Sequence, residues 1–197
     1  MDLNAPVREE QPLVIVFVRH GEPEPHVPNH EKGPGLTPLG KQQARRVAKR
    51  FAKETFDHIY ISDLTRARET AEIIRQFHRH TPFTISQDLR EITHHHFIPD
   101  PLQKQEKSDL IRTERDTIER FVKHLRETYL LGQKVLVVCH GNVIRSMLPL
   151  LGGRDPRNMM LIDINHTAVT IVEVWKSGEA VLKLGNCVKH LLPNQIT

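Results

Sequence analysis

The chain has little from which to build covalent or membrane-borne structure. Its 197 residues include only two cysteines, Cys139 inside an apolar run and Cys187 far from it in sequence. Neither has a partner at metal-ligand spacing, so no disulfide framework is expected, and reduced thiols in a cytoplasmic compartment are. No run of about 18 apolar residues occurs, which argues against a helical membrane span. Residues 1–10 lack a basic segment followed by an apolar stretch and do not read as a secretory signal. Aromatics make up only 5% of the chain, and lysines and arginines alternate with glutamates. A nucleic-acid surface would show a dense basic stripe with exposed aromatics, so no nucleic-acid partner is expected. The formal charge of +4 leaves a mild excess suited to small anions.

What is present suits one domain over residues 1–197, with residues 1–11 as a flexible extension. Leu13 to Val18 and Val135 to Cys139 are continuous, β-branched runs of the kind that form fully buried parallel strands. Shorter strand signals lie at His58 to Ile61 and Phe83 to Ile85. Thr37-Pro38 supplies an N-cap and a first-position proline for a helix to about Lys53, with Ala44, Val47, Ala48 and Phe51 on its buried face. Ser62 or Asp63 is expected to cap a second helix whose inward stripe is Leu64, Ala67, Ala71 and Ile74. A long helix is expected over 105–131 and a short apolar one over 142–151, ended by Gly152-Gly153. Lys176-Ser177-Gly178-Glu179 reads as the turn of a late hairpin between 167–175 and 180–184. The alternation predicts a three-layer α/β/α sandwich with a mostly parallel central sheet.

Both long strands end in His-Gly, as Arg19-His20-Gly21-Glu22 and His140-Gly141-Asn142. In an open α/β sheet, ligands bind at the carboxyl edge, so His20 and His140 are expected to face one substrate. Arg66 falls in the first turn of the second helix, near backbone N–H groups suited to an anion. Leu89-Arg90-Glu91 places a carboxylate just past the third strand. These segments, together with Leu36-Thr37-Pro38-Leu39-Gly40 and Arg66-Ala67 with Thr70-Ala71, resemble the histidine phosphatase superfamily, the phosphoglycerate-mutase-like group. The resemblance runs in order from about residue 13 to 190.

It implies phosphoryl transfer through a covalent phosphohistidine, without a metal or other cofactor. His20 would be the nucleophile, Glu91 the proton donor, and a protonated His140 the second pocket histidine. Arg19 and Arg66 would bind the phosphate, and Asn142 either contacts it or caps the following helix. An imidazole can attack phosphorus only through an unprotonated nitrogen, so His20 must be neutral on its attacking side. Two guanidiniums and a histidine would supply fixed donors to the transferring group. Taken singly, Arg66 could instead pair Asp63 or Glu69, and His20 with His140 could hold zinc, although Arg19 would repel that cation. His94-His95-His96 are further candidates for metal or substrate contact, and His26 and His30 are either solvated or touch substrate. Arg68, Arg154 and Arg157 are expected to face solvent and Arg145 to be structural.

Hydrolysis is expected rather than mutase chemistry. Pro23 and His26 stand where mutases carry a hydroxyl residue and an asparagine, and one loop and one helix are all that link Glu91 to His140. A mutase benefits from a lid that excludes water, for which this chain has little material. Ile98-Pro99-Asp100-Pro101 and Cys139 to Arg145 are similar to the mitochondrial serine/threonine protein phosphatase branch, which usually has alanine where Gly141 stands. That branch also carries an N-terminal membrane anchor, which is not found in residues 1–10. The expected partners are a phosphoprotein or a phosphorylated small molecule, with inorganic phosphate as product. A non-catalytic phospho-ligand binder is the alternative from another class.

Overall fold

Two parallel strands at the centre of one sheet decide where the chemistry can sit. The computed structural model describes residues 11–25, 31–92, 105–129, 132–154 and 162–197, with side chains in the long helix described from Arg112 onward. Strand β1 (Leu13–Arg19) pairs in parallel with β4 (Lys134–Cys139), in a register that sets Arg19 opposite Cys139. The β1 interior is almost wholly buried, as its unbroken apolar run requires. On the far side of β4 lie β2 (His58–Ser62) and then the edge strand β3 (Phe83–Ser86), both parallel to it. On the other side of β1, β5 (Val169–Val174) and β6 (Ala180–Cys187) form the expected hairpin. The sheet order is β3-β2-β4-β1-β5-β6, mostly parallel, with an antiparallel end.

Helices cover both faces. On one, α1 (Pro38–Phe51) and α2 (Thr65–Arg75) bring Val47, Ala48, Phe51, Ala71 and Ile74 against Val16, Val18, Ile59 and Val138. On the other, α3 (Gln105–Thr128) and α4 (Gly141–Leu151) set Ile118, Leu125, Ile144 and Met147 against Ile15, Phe17, Val135 and Val137. Alternate residues of β1 and β4 thus feed opposite faces, which is why both strands read as continuously apolar.

Local chemistry explains the helix starts. Thr37 caps α1 through its hydroxyl, which accepts Gly40 N–H at 2.9 Å. The cap of α2 is Leu64, without a side-chain bond, rather than Ser62 or Asp63. The reason is competition: Ser62 Oγ lies 2.8 Å from His140 Nε2, and the Asp63 carboxylate is held by Arg90 at 2.8 and 2.7 Å and by Lys32 at 2.5 Å. Helix α4 is capped by His140 rather than Asn142, and α3 stops at Thr128, short of the expected 131. Gly178, at φ +85°, makes the β5–β6 turn. The expected extension, and the stretch holding His94, His95, His96 and Asp100, fall on residues outside those described, as do His26, His30 and Arg157.

Candidate active site

Because β1 and β4 are neighbours in parallel, the residues just past their ends emerge side by side. The ladder continues one step into the loop, His20 N–H donating to Cys139 O at 3.0 Å. The rings of His20 and His140 are 5.0 Å apart, centroid to centroid, and both are buried. Next to β4, β2 delivers Ser62 and, through α2, Arg66. Beyond β3, a short 3-10 turn (Gln87–Leu89) leads to Glu91. All five residues expected at one carboxyl edge, Arg19, His20, Arg66, Glu91 and His140, are gathered there.

The loop after His20 is fixed by backbone contact. A Cβ on Gly21 would lie 2.5 Å from Gly40 O, and one on Gly40 would lie 2.1 Å from Glu22 O. Glycine at 40, costly inside a helix by about 1 kcal/mol, is therefore required by the approach of this loop to α1. Gly21 N–H donates to Thr70 Oγ1 at 3.0 Å, and Glu22 N–H to Gln43 Oε1 at 2.8 Å. Side-chain acceptors on α2 and α1 thus hold the histidine loop.

Hydrogen bonds fix the state of His20. Arg66 Nε, which can only donate, lies 3.0 Å from His20 Nε2, so Nε2 carries the lone pair. Nδ1 carries the proton and donates to Gly21 O at 2.7 Å. Burial, then His140 and Arg66, push the imidazole well below the usual histidine range, so it is neutral at neutral pH. This is the form an attacking imidazole needs. Neither Asp63 nor Glu69 takes Arg66: Asp63 pairs with Lys32 and Arg90, and Glu69 accepts Leu36 N–H at 2.7 Å. The zinc alternative meets a guanidinium donor on His20 Nε2, which disfavours a cation there.

Around this nitrogen are buried donors without acceptors. Arg19 Nη1 donates to Ile164 O at 2.6 Å, but Arg19 Nε and His140 Nδ1 are buried without a partner among the described residues. Ser62 Oγ accepts Leu64 N–H at 3.4 Å and can give its own hydrogen to His140 Nε2, an arrangement that places the His140 proton on Nδ1. Buried N–H groups left unpaired cost about 1–3 kcal/mol each, a cost that an anion set between them would remove. Burial, then Arg66 and Arg19, lower His140 well below the usual histidine range, so the protein's own groups do not supply the expected imidazolium. A phosphate dianion beside it would supply the opposite charge that favours protonation.

Glu91 keeps part of its surface open, yet burial of its carboxyl raises it above the usual carboxylate range, against the pull of N–H donors from Ile92 and Asn142 and of Arg19 and Arg66. Of the two roles expected for Asn142, the helix cap falls to His140. Its Nδ2 donates one hydrogen to Ile92 O at 3.1 Å and its Oδ1 accepts Arg145 Nη1 at 3.0 Å, so the side chain ties α4 to the Glu91 loop. Arg145 is structural as expected, donating also to Ile162 O at 2.6 Å, while Arg68 and Arg154 face solvent.

Sequence reasoning missed His166. Its ring centroid is 5.5 Å from that of His20, and burial, then Arg19, lower it to about 4. The signal was in the hairpin: β5 runs antiparallel to β1, so its incoming loop, not its outgoing one, reaches the site. Thr167 next to it adopts φ +55°, unusual for a β-branched residue, and is held there by N–H bonds to Arg19 O at 3.1 Å and His20 O at 3.2 Å. Among the described residues, no group of three or more His, Cys, Asp and Glu side chains is gathered as a metal site would need.

The chain is 28% identical over 190 residues to the serine/threonine-protein phosphatase Pgam5, mitochondrial, of Caenorhabditis briggsae, covering 93% of this chain and 66% of that one. It thus spans just under two thirds of that relative's length. It is 30% identical over 154 residues to the phosphatase PhoE of Bacillus subtilis, covering 72% of this chain and 79% of the relative. Among solved structures, phosphoserine phosphatase from Entamoeba histolytica with 3-phosphoglyceric acid superposes with a TM-score of 0.71 at 23% identity, covering 91% of this chain and all of that one. The alpha-ribazole phosphatase of Shigella flexneri gives a TM-score of 0.71 at 20% identity, covering 89% and 97%. These two likenesses establish the fold. With the branch 1 profile matched across residues 15–187, the chain belongs to the histidine phosphatase superfamily.

Proposed function

We propose that this chain is a phosphatase that hydrolyses phosphate monoesters through a phosphohistidine on His20. The observation that carries the reading is the His20 tautomer. Its Nε2 lone pair faces Arg66 at 3.0 Å, while Nδ1–H is tied to a backbone carbonyl at 2.7 Å. In the first step, Nε2 attacks phosphorus as the ester P–O bond breaks. Glu91, whose acid form burial favours, gives its proton to the departing alkoxide. Arg19, Arg66 and the His140 N–H stabilise the charge on the non-bridging oxygens. In the second step, water attacks the phosphohistidine, Glu91 takes its proton, the N–P bond breaks, and inorganic phosphate leaves. The electrostatic work is assigned to side chains, so the reaction is expected to need no metal.

The Pgam5 relatives are named as serine/threonine-protein phosphatases, which leans the substrate towards phosphoprotein side chains. A small phosphorylated metabolite fits the same catalytic groups. The test is hydrolysis of an aryl phosphate in excess chelator by wild type and His20→Ala, followed by a panel of phosphopeptides and metabolites. The expected result is chelator-resistant turnover and an acid-labile phosphoenzyme, both lost in the variant. Undiminished turnover in His20→Ala would remove the nucleophile. Phosphate binding without turnover in wild type would identify a binding module instead.

A further inference from the structure

The third imidazole at this edge is held by a hydrogen-bond network at one ring nitrogen. Gln43 Oε1 accepts Glu22 N–H at 2.8 Å, which orients the amide so that Nε2 is its donor. Nε2 donates to Gln195 O at 2.8 Å and to Thr197 Oγ1 at 2.9 Å. The same hydroxyl oxygen lies 2.8 Å from His166 Nδ1, and His166 N–H donates to Thr197 O at 2.9 Å. Thr197 Oγ1 accepts from Gln43 and keeps one hydrogen and one further lone pair, so it can donate to His166 Nδ1 or accept from it. When it donates, the imidazole proton is on Nε2, the ring nitrogen not bonded to Thr197. With its pKa lowered to about 4, the ring is uncharged at neutral pH, and in that tautomer it offers Nε2–H as a donor. It stands 5.5 Å from the His20 ring, within the electrostatic reach of Arg19 and Arg66.

We propose that His166 is a substrate-binding residue of this site, its Nε2–H donating to a non-bridging oxygen of the phosphoryl group on His20. This rests on the phosphatase reading above and extends it by one donor. The Gln43–Thr197 pair positions the ring. It links the segment at 195–197 through Glu22 to the loop that carries the nucleophile. A neutral donor of this kind adds affinity for the phosphoryl group without placing a further cation beside the nucleophile.

The experiment compares wild type, His166→Ala, His166→Leu and His166→Gln, using aryl phosphate turnover and inhibition by orthovanadate and orthophosphate. Glutamine keeps an uncharged N–H donor, whereas leucine keeps bulk without one. Because hydrogen bonds to charged groups contribute about 1.5–3 kcal/mol, Ala and Leu are each expected to weaken vanadate inhibition by about 10-fold or more, with Gln within about threefold of wild type. Thermal melts establish that each variant is folded, and either donor-free variant suffices for the comparison with Gln. Vanadate constants equal to wild type in Ala and Leu would overturn the proposal, as would a Gln variant as weak as Leu, which would make the ring a packing element. Wild type that neither turns over nor binds vanadate would instead remove the phosphatase reading, and this inference with it. The two failures are therefore read from different proteins.

Discussion

Arg66 Nε occupies the lone pair that His20 must use, so attack requires the guanidinium to exchange imidazole for a phosphoryl oxygen. Until an anion arrives, the Arg66 contact keeps the nucleophile in its reactive tautomer. Glu91 is the other residue whose surroundings set its chemistry. Burial favours its neutral acid, which can donate to an alkoxide, while Arg19 and Arg66 oppose this. Glu91→Gln cannot donate that proton, so hydrolysis of alkyl phosphates should fall by about 100- to 10,000-fold, with a smaller loss for p-nitrophenyl phosphate, whose leaving group needs no proton. Equal slowing of both esters, measured as kcat/KM, would argue against the assignment. In wild type, the rate on alkyl esters should decline as pH rises through the raised Glu91 pKa, because the acid form is the one consumed.

At the scale of elements, the contact between the His20 loop and α1 is the most demanding. Gly40→Ala would add a Cβ at 2.1 Å from Glu22 O, and the atom it meets is backbone, with no side chain to swing aside. Alanine's helix propensity favours the variant by about 1 kcal/mol, but overpacking of this kind costs about 1–3 kcal/mol and moves the loop. The expected outcome is no gain in stability and a loss of turnover larger than any change in melting temperature explains. A stabilised, fully active variant would show that the loop and α1 separate freely. Helix α2 displays the complementary arrangement. Its start lacks a side-chain cap because Ser62 and Asp63 serve His140, Lys32 and Arg90 instead.

Across the whole molecule, one consequence of the buried imidazoles is sensitivity to acid. His20, His140, His78, His166 and His190 are all lowered, burial being the first cause in each, and the last two lie at about 4. Between about pH 6.5, where unfolded histidine titrates, and these lowered values, the unfolded chain binds more protons than the native one. Stability is therefore fully present above about pH 6.5 and falls as pH decreases towards 4. Asp63, lowered to about 2 chiefly by its hydrogen bonds to Arg90, adds a second loss at more acid pH. Urea unfolding followed from pH 8 to pH 4 should show a steep decline across the lower half of that range. A constant unfolding free energy down to pH 4 would contradict the burial of these rings.

The amino-acid sequence alone determined the paired strands and the residues that follow them. Unbroken β-branched runs can be satisfied only between two helical layers, and a parallel sheet puts His20, His140, Arg66 and Glu91 at one edge. Element ends were less legible where side chains serve the site rather than the helix, as at Ser62, Asp63 and Asn142. The purpose of Gly40 was hidden, because a close approach between segments leaves no local pattern. His166 was hidden for a related reason: strand direction, not sequence distance, decides which loop of a hairpin faces the substrate. Tertiary structure alone decided the tautomer of His20 and the lowered pKa of His140, since both depend on which donors and charges are brought within reach in three dimensions.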